Sequence, residues 1–363
     1  MRDSQSVFAA AKSATMQVVQ AEPLNAGTPL DELVDTYIQP NSQFFVRTHG
    51  TVPTLDSETT SITIHGLIDE PWSISIGEIK QQLPYVEQVA TLQCAGNRRQ
   101  EMHAYKAIYG ELPWGANGLS TATWGGAPLR ALLERCAIQP AAKHLLGVSY
   151  DQVERHGQSF GFGGSIPLDE PMIEHALLAY TMNGEALPAL HGGPLRLVIP
   201  GIVGARSIKW LRSLEFSAEP SHNYFQRRAY RLAQSSEPEA WHEAPMLHEL
   251  PVNAVVCQPA PEQALAAGVI TLAGYAITGG QALVDRVEIS LDQGQHWQTA
   301  SLLDEPQLGC WSRWQAKLEL ASGEYECWVR ATDTLGQQQP DQPAWNVKGY
   351  HHNAIQRLQL TVR

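Results

Sequence analysis

Positive charge is in short supply: 25 lysines and arginines stand against 37 aspartates and glutamates, a formal net charge of −12. A broad nucleic-acid surface begins with a basic patch that neutralises phosphates, so no nucleic-acid partner is expected. Long apolar runs are missing as well. The stretch Leu197 to Ala205 contains Pro200 and has about half of the ~20 residues a membrane-crossing helix needs. Near the start, the run Val7 to Ala11 stops at Lys12, short of the apolar core of an export signal. No membrane partner is expected either. Cysteine is sparse and unpatterned: Cys94, Cys136, Cys257, Cys310 and Cys327 make an odd count without CxxC spacing, which suits neither a disulfide framework nor a zinc site. Reduced thiols in a cytoplasm are the expectation, or a periplasm if an export signal was removed ahead of residue 1. Familiar nucleotide and metal-site motifs are absent. "GFGGSI" has Ile166 where a dinucleotide loop needs its third glycine, and there is no Walker loop, HExxH or CxxCH.

What is present divides at about residue 245. Residues 1–40 form a weakly patterned N-terminal segment. From 41 to 245, β-type runs such as "SITIHG", "VATLQC" and "LRLVIPG" mix with the helical "APLRALLERC", in which Leu129, Leu132 and Leu133 share one face. This mixture predicts an α+β domain. A polar stretch rich in Glu, His and Pro follows, "SSEPEAWHEAPMLHELP". Residues 246–363 then read as strands and turns. Val287, Ile289 and Leu291 alternate with Glu288, Ser290 and Asp292, predicting a small β-sandwich with Trp297, Trp314 and Trp328 available to its core.

Several residues carry chemistry. Cys94 ends a strand in "TLQCAGNRRQ", where Gly96 allows a tight turn and Arg98 and Arg99 would favour thiolate over thiol. A thiolate suits a soft metal, although a cysteine after a strand also serves as buried filler. In "LHGGPLRLVIPGIVGARSIKW", His191, Arg196, Arg206 and Lys209 form a candidate anion cradle; the plainer alternative is a buried strand capped by solvated charges. Arg196, set among leucines and valine, needs a partner if buried. In "FFVRTHG", Arg47 and His49 point the same way if extended. "HNYFQRRAYRL" reads first as a solvated basic loop around Arg227 and Arg228. His351 and His352, read as strand neighbours, would face opposite ways and not share an ion. The basic residues of an acidic chain thus gather beside Gly and His, which hints at an anionic ligand.

In order, "TLQCAGNRRQEM", "WGANGLSTATWGGAPLRALL", "LLAYTMNGEALPALHGGPLRLVIPGIVGARSIKWL" and "WNVKGYHHNAIQRLQL" resemble the sulfite oxidase family of molybdopterin enzymes, from about Pro40 to the C-terminus. The resemblance implies an α+β molybdopterin-binding domain followed by an immunoglobulin-like sandwich through which two chains pair as a homodimer. It makes Cys94 the ligand of molybdenum. It places His49, Arg99, His191, Arg196, Ser207 and Lys209 on the cofactor, and Arg47, Trp114, Tyr230, Lys106 and Lys348 around a small oxyanion substrate. The implied reaction is oxidation of sulfite to sulfate, with electrons leaving to a separate acceptor protein such as a cytochrome, since neither a haem nor a flavin module is apparent. Lys348 departs from the family, whose sulfite oxidases have arginine there; lysine lacks the planar fork that suits a trigonal oxyanion. The expectation is that Lys348→Arg improves sulfite KM if sulfite is the natural substrate; a weaker KM argues for another anion. An oxygen-atom reductase acting on nitrate or an organic S-oxide is the alternative enzyme, and a non-catalytic binding module that keeps the cofactor fold is the alternative from another class.

Overall fold

The computed structural model describes residues 11–260 and 263–363; the sequence run at Val7 to Ala10 lies outside them. Among the described residues no helix is long and apolar enough to cross a membrane.

Alternation of buried and exposed residues builds the strands, and two sheets frame the first part of the chain. One has the order Gly163–Pro167, His144–Ser149, Leu211–Ser217, Ser61–Gly66, Trp72–Ser75. The other runs Glu185–Ala186, Leu177–Met182, Leu119–Pro128, Val86–Gln93, and the short strand Arg196–Val198 pairs with Leu177–Met182. Ile62, Ile64, Leu145, Leu214 and Phe216 from the first sheet join Leu129 and Leu132 of the helix Leu129–Leu133 in one apolar core. The helical turn at Ile76–Gln82 is started by Ser75, which accepts from the Glu78 N–H while the Glu78 carboxylate reaches back, a capping box readable from the sequence SIGE. The segment before residue 40 is not featureless. Strands Gln17–Gln20 and Asn25–Gly27 pair, and the chain then turns through Leu30–Leu33.

The second part is a sandwich. Asn253–Gln258, Gly268–Ile277, Ser312–Leu320 and Ser301–Leu302 form one four-stranded sheet, and Gln298–Thr299, Val284–Ser290, Gly323–Asp333 and Gln356–Val362 the other. Val287 and Ile289 are buried between the sheets as the alternation predicts, but Ser290 is buried too, with its hydroxyl on Asp292. Of the three tryptophans expected in this core only Trp314 lies there. Trp297 and Trp328 lie half-buried under Arg330 and Arg357, which stack 3.8 and 4.2 Å from their ring centres. An indole on the solvent-facing side of a strand is covered by the nearest long cation rather than by the opposite sheet.

The two parts share a tightly bonded seam. Asn97 donates to Tyr275 Oη (2.9 Å), which donates to Ala116 O (2.8 Å), and Arg98 donates to Asn253 Oδ1 (2.6 Å) and Ala354 O (3.0 Å). The loop that follows Cys94 is thereby fixed from the far side by the sandwich. His351 and His352 belong to this seam and not to a strand: they precede Gln356–Val362, and His351 has φ 55°.

Candidate active site

Strand Val86–Gln93 delivers Cys94 to the wall of a cavity. The sulfur is nearly buried. The Cys94 N–H donates to Gly118 O (2.8 Å), and the Gly96 N–H points at Sγ from 3.4 Å. Gln93, Cys94, Arg47, His49, His191, Arg196, Ser207, Lys209 and Tyr230 all line this one space. Segments far apart in the chain therefore converge as their motifs suggested.

The cations have few acidic partners. Arg196 donates to His191 O (2.7 Å) and Ser207 O (2.8 Å) and packs 4.9 Å from the Trp124 ring centre. Lys209 donates to Leu190 O (3.0 Å). Gly192, at φ 106°, lets these two side chains close in: a Cβ there would lie 2.9 Å from Lys209 Cβ and 3.0 Å from Arg196 Cβ. Lys12 reaches the site as well, donating to Asn41 O (2.5 Å) and Phe44 O (2.9 Å) with His191 Nε2 at 2.6 Å. Asp151 is the only carboxylate in the lining, and it accepts from Ser149 Oγ and the Phe162 N–H. The electrostatic consequence is uniform. Burial, reinforced by Arg47, Lys209 and Arg155, holds His49 well below the usual imidazole range. Burial, then Lys12, Lys209 and Arg196, does the same to His191. Burial alone brings Arg196 down to about 9, and with Arg196 beside it pushes Lys209 well down. Positive groups gathered in a low-dielectric pocket without matching acids lose protons unless an anion joins them.

The remaining sequence candidates lie elsewhere. Trp114 is fully buried in the cluster that holds Cys94 and Phe45, with no partner for its indole N–H. Among the described residues, neither Arg98 nor Arg99 makes a hydrogen bond to the sulfur. Arg98 turns into the seam and pairs with Glu101 (2.6 Å); Arg99 donates to Lys348 O (2.7 Å) and Leu112 O (2.6 Å) and lies over Tyr350. Tyr350 stacks on Tyr230 at 5.3 Å. Lys348 pairs with Glu111 (2.5 Å) behind these rings. Lys106 is exposed and stacks on Trp345 at 3.6 Å, outside the cavity. Arg206 is buried with only Leu247 O as partner, its Nε and Nη1 unpaired, and does not line the cavity. Arg227 and Arg228 are exposed on the short helical turn Phe225–Ala229, as a solvated pair should be. Lys12, Asp151, Phe162 and Glu111 carry no motif and were not legible before their neighbours were known.

Two family models cover most of the chain. An oxidoreductase molybdopterin binding domain matches residues 49–225, and a Mo-co oxidoreductase dimerisation domain matches residues 244–363. The mitochondrial sulfite oxidase of Homo sapiens is 37% identical over 96% of this chain and 66% of its own length. The chain belongs to the sulfite oxidase family. The NADH nitrate reductase of Solanum lycopersicum is also similar, 34% identical over 94% of the chain, which spans 40% of that protein. This chain thus spans about two thirds of the human relative and less of the plant one. Among solved structures, the sulfane dehydrogenase SoxCD from Paracoccus pantotrophus shares the fold, with a TM-score of 0.81 and 22% identity over 99% of this chain and 92% of that one. A molybdopterin-dependent oxidoreductase with a C-terminal dimerisation domain follows from membership of the family.

The residues present fit the family's molybdenum cofactor. Cys94 offers a sulfur on the cavity wall, the kind of ligand a soft metal takes. The cations that lack acids match an organic phosphate.

Proposed function

We propose that this protein oxidises sulfite to sulfate and passes the electrons to a separate acceptor protein, a cytochrome being the expected kind. The observation that carries the reading is the single nearly buried thiol, Cys94, on the wall of a cavity where Arg47, Arg196 and Lys209 face one carboxylate. When bound, the molybdenum centre supplies the redox change and oxygen transfer. The chain supplies the rest. Cys94 anchors the metal; His49, His191, Arg196, Ser207 and Lys209 hold the cofactor's phosphate and pterin; and Arg99 braces the site through Tyr350. Arg47 and Tyr230 orient the oxyanion, with Trp114 closing the wall behind Cys94 and Lys348 adding charge from the second domain. A fixed cation beside a developing negative charge contributes a few kcal/mol. Lys106 is left a peripheral role by its exposure. The domain division at about residue 245 and a cytoplasmic location, in keeping with five free cysteines, belong to the same reading.

The test is sulfite-dependent reduction of the purified protein, followed by loss of the thiolate-to-molybdenum absorption, with molybdenum near one per chain. Cys94→Ser abolishes turnover and the absorption band while leaving the fold intact; wild-type activity in that variant overturns the assignment. Absence of molybdenum after expression in a host that makes the cofactor would instead favour a binding module. One observation favours a second reading, reduction of nitrate or an organic S-oxide. Lys348 is tied to Glu111 and is not free for a dianion. Reduced dye supplied with each oxide separates the two.

A further inference from the structure

Glu111 belongs to no motif, yet it stands between Lys348 and Arg99, two of the cations assigned to the site. Its Oε1 is 2.5 Å from Lys348 Nζ and its Oε2 is 3.9 Å from Arg99 Nη2. The Lys348 carbonyl in turn accepts from Arg99 Nε at 2.7 Å. Main chain and side chain of Lys348 thus bind the guanidinium and the carboxylate into one closed unit. The side chains are largely shielded: 5% of Arg99, 17% of Glu111 and 26% of Lys348 is exposed. At such separations, away from bulk water, opposite charges cancel one another's field effectively. The unit lies close to the chemistry. Arg99 is 5.1 Å above the Tyr350 ring, Tyr350 stacks on Tyr230, and Tyr230 lines the cavity with Cys94.

We propose that Glu111 is a positioning residue that sets the anion preference of this site: its carboxylate holds the place between Lys348 and Arg99 that an incoming oxyanion would take. The proposal rests on the reading of Lys348 as a group that serves the substrate anion, with Arg99 bracing the site beside it. An internal carboxylate leaves the pair of cations with about one net positive charge instead of two. A dianion such as sulfate or sulfite then competes with Glu111, whereas a monoanion or a neutral oxide loses less. The lysine that replaces the family's arginine fits this arrangement, because an ammonium on a flexible stem releases or retains one carboxylate oxygen more readily than a two-pronged guanidinium does.

The experiment uses the cofactor-loaded dimer and inorganic sulfate, a dianion that does not turn over, with binding followed by calorimetry. E111Q keeps the shape and removes the charge, so sulfate Kd falls about tenfold; E111D keeps the charge and stays near the wild-type value. E111Q leaves an unpaired ammonium, so E111Q/K348M is measured beside it. With both charges gone, that variant binds sulfate within about threefold of wild type. Unchanged or weaker sulfate binding in a folded E111Q, or a tenfold loss in the double variant, overturns the proposal and leaves Glu111 as a prop for its loop. The sulfite reading fails separately, when neither wild type nor E111Q is reduced by sulfite although sulfate binding still responds to the substitution.

Discussion

Tyr230 Oη lies 2.9 Å from His49 Nε2. The imidazole is held between Phe162 and Phe225, at 4.8 and 4.6 Å between ring centres. Burial and nearby cations keep His49 neutral, and burial pushes the Tyr230 hydroxyl up to about 12. With both groups neutral, the imidazole tautomer decides which of the two donates, and the phenolic proton stays on Tyr230 throughout the physiological range.

Tyr230→Phe tests that bond. The variant keeps its packing and loses about 1 kcal/mol of stability. Turnover drops about tenfold or more with molybdenum content unchanged, because the substrate loses a hydroxyl positioned beside it. Steady-state kinetics with ferricyanide, together with metal analysis, check this. Because Tyr230 ionises only near 12, the wild-type rate shows no step between pH 7 and 9 from this group.

Stability should depend on pH differently with and without cofactor. His49 and His191 are held well below the usual value, and His351 and His352 are brought down to about 4, burial being the first cause in each. Below about pH 6.5 the unfolded chain binds protons that the folded one refuses, so each group lowers stability as pH falls from there toward its folded value, at about 1.4 kcal/mol per unit. An anionic cofactor restores the proton affinity of His49 and His191, which line the cavity, and leaves His351 and His352 as they were. Melting temperature between pH 8 and 5 therefore falls more steeply for the cofactor-free protein. Parallel curves would remove the two cavity histidines from the cofactor site.

Arg99 is enclosed by two glycines. A Cβ on Gly96 would lie 2.4 Å from Arg99 Nη2, and one on Gly349, at φ 60°, would lie 2.7 Å from Arg99 Cγ. Gly349→Ala should cost about 1–3 kcal/mol, from the left-handed backbone and the displaced side chain together. Thermal melts read the stability; sulfate titration reads whether Arg99 has left its place.

The expectation for Lys348→Arg changes once Glu111 is in view. A guanidinium there pairs with the carboxylate through two parallel bonds and is held more firmly than the ammonium. Lys348→Arg alone leaves sulfite KM within about twofold of wild type, and the improvement emerges when Glu111→Gln accompanies it. Ferricyanide assays of Lys348→Arg, Glu111→Gln and the double variant decide.

Local pattern settled much of this protein. Alternation in Val284–Ser290 and the leucine face of Leu129–Leu133 are short-range features, so they could be read without knowing what lies opposite. The cavity lining was legible for a related reason. His191, Arg196, Ser207 and Lys209 share one motif, and Arg47 and His49 lie two residues apart. What each charge does was decided only in three dimensions. Arg98 and Arg99 are neighbours with the same side chain, yet one pairs across the seam with Asn253 and the other braces Tyr350 and Lys348. Glu111 meets Lys348 across 237 positions of chain. A guanidinium or carboxylate leaving water settles where opposite charge and unpaired carbonyls converge, and that place is fixed by the packing of two domains.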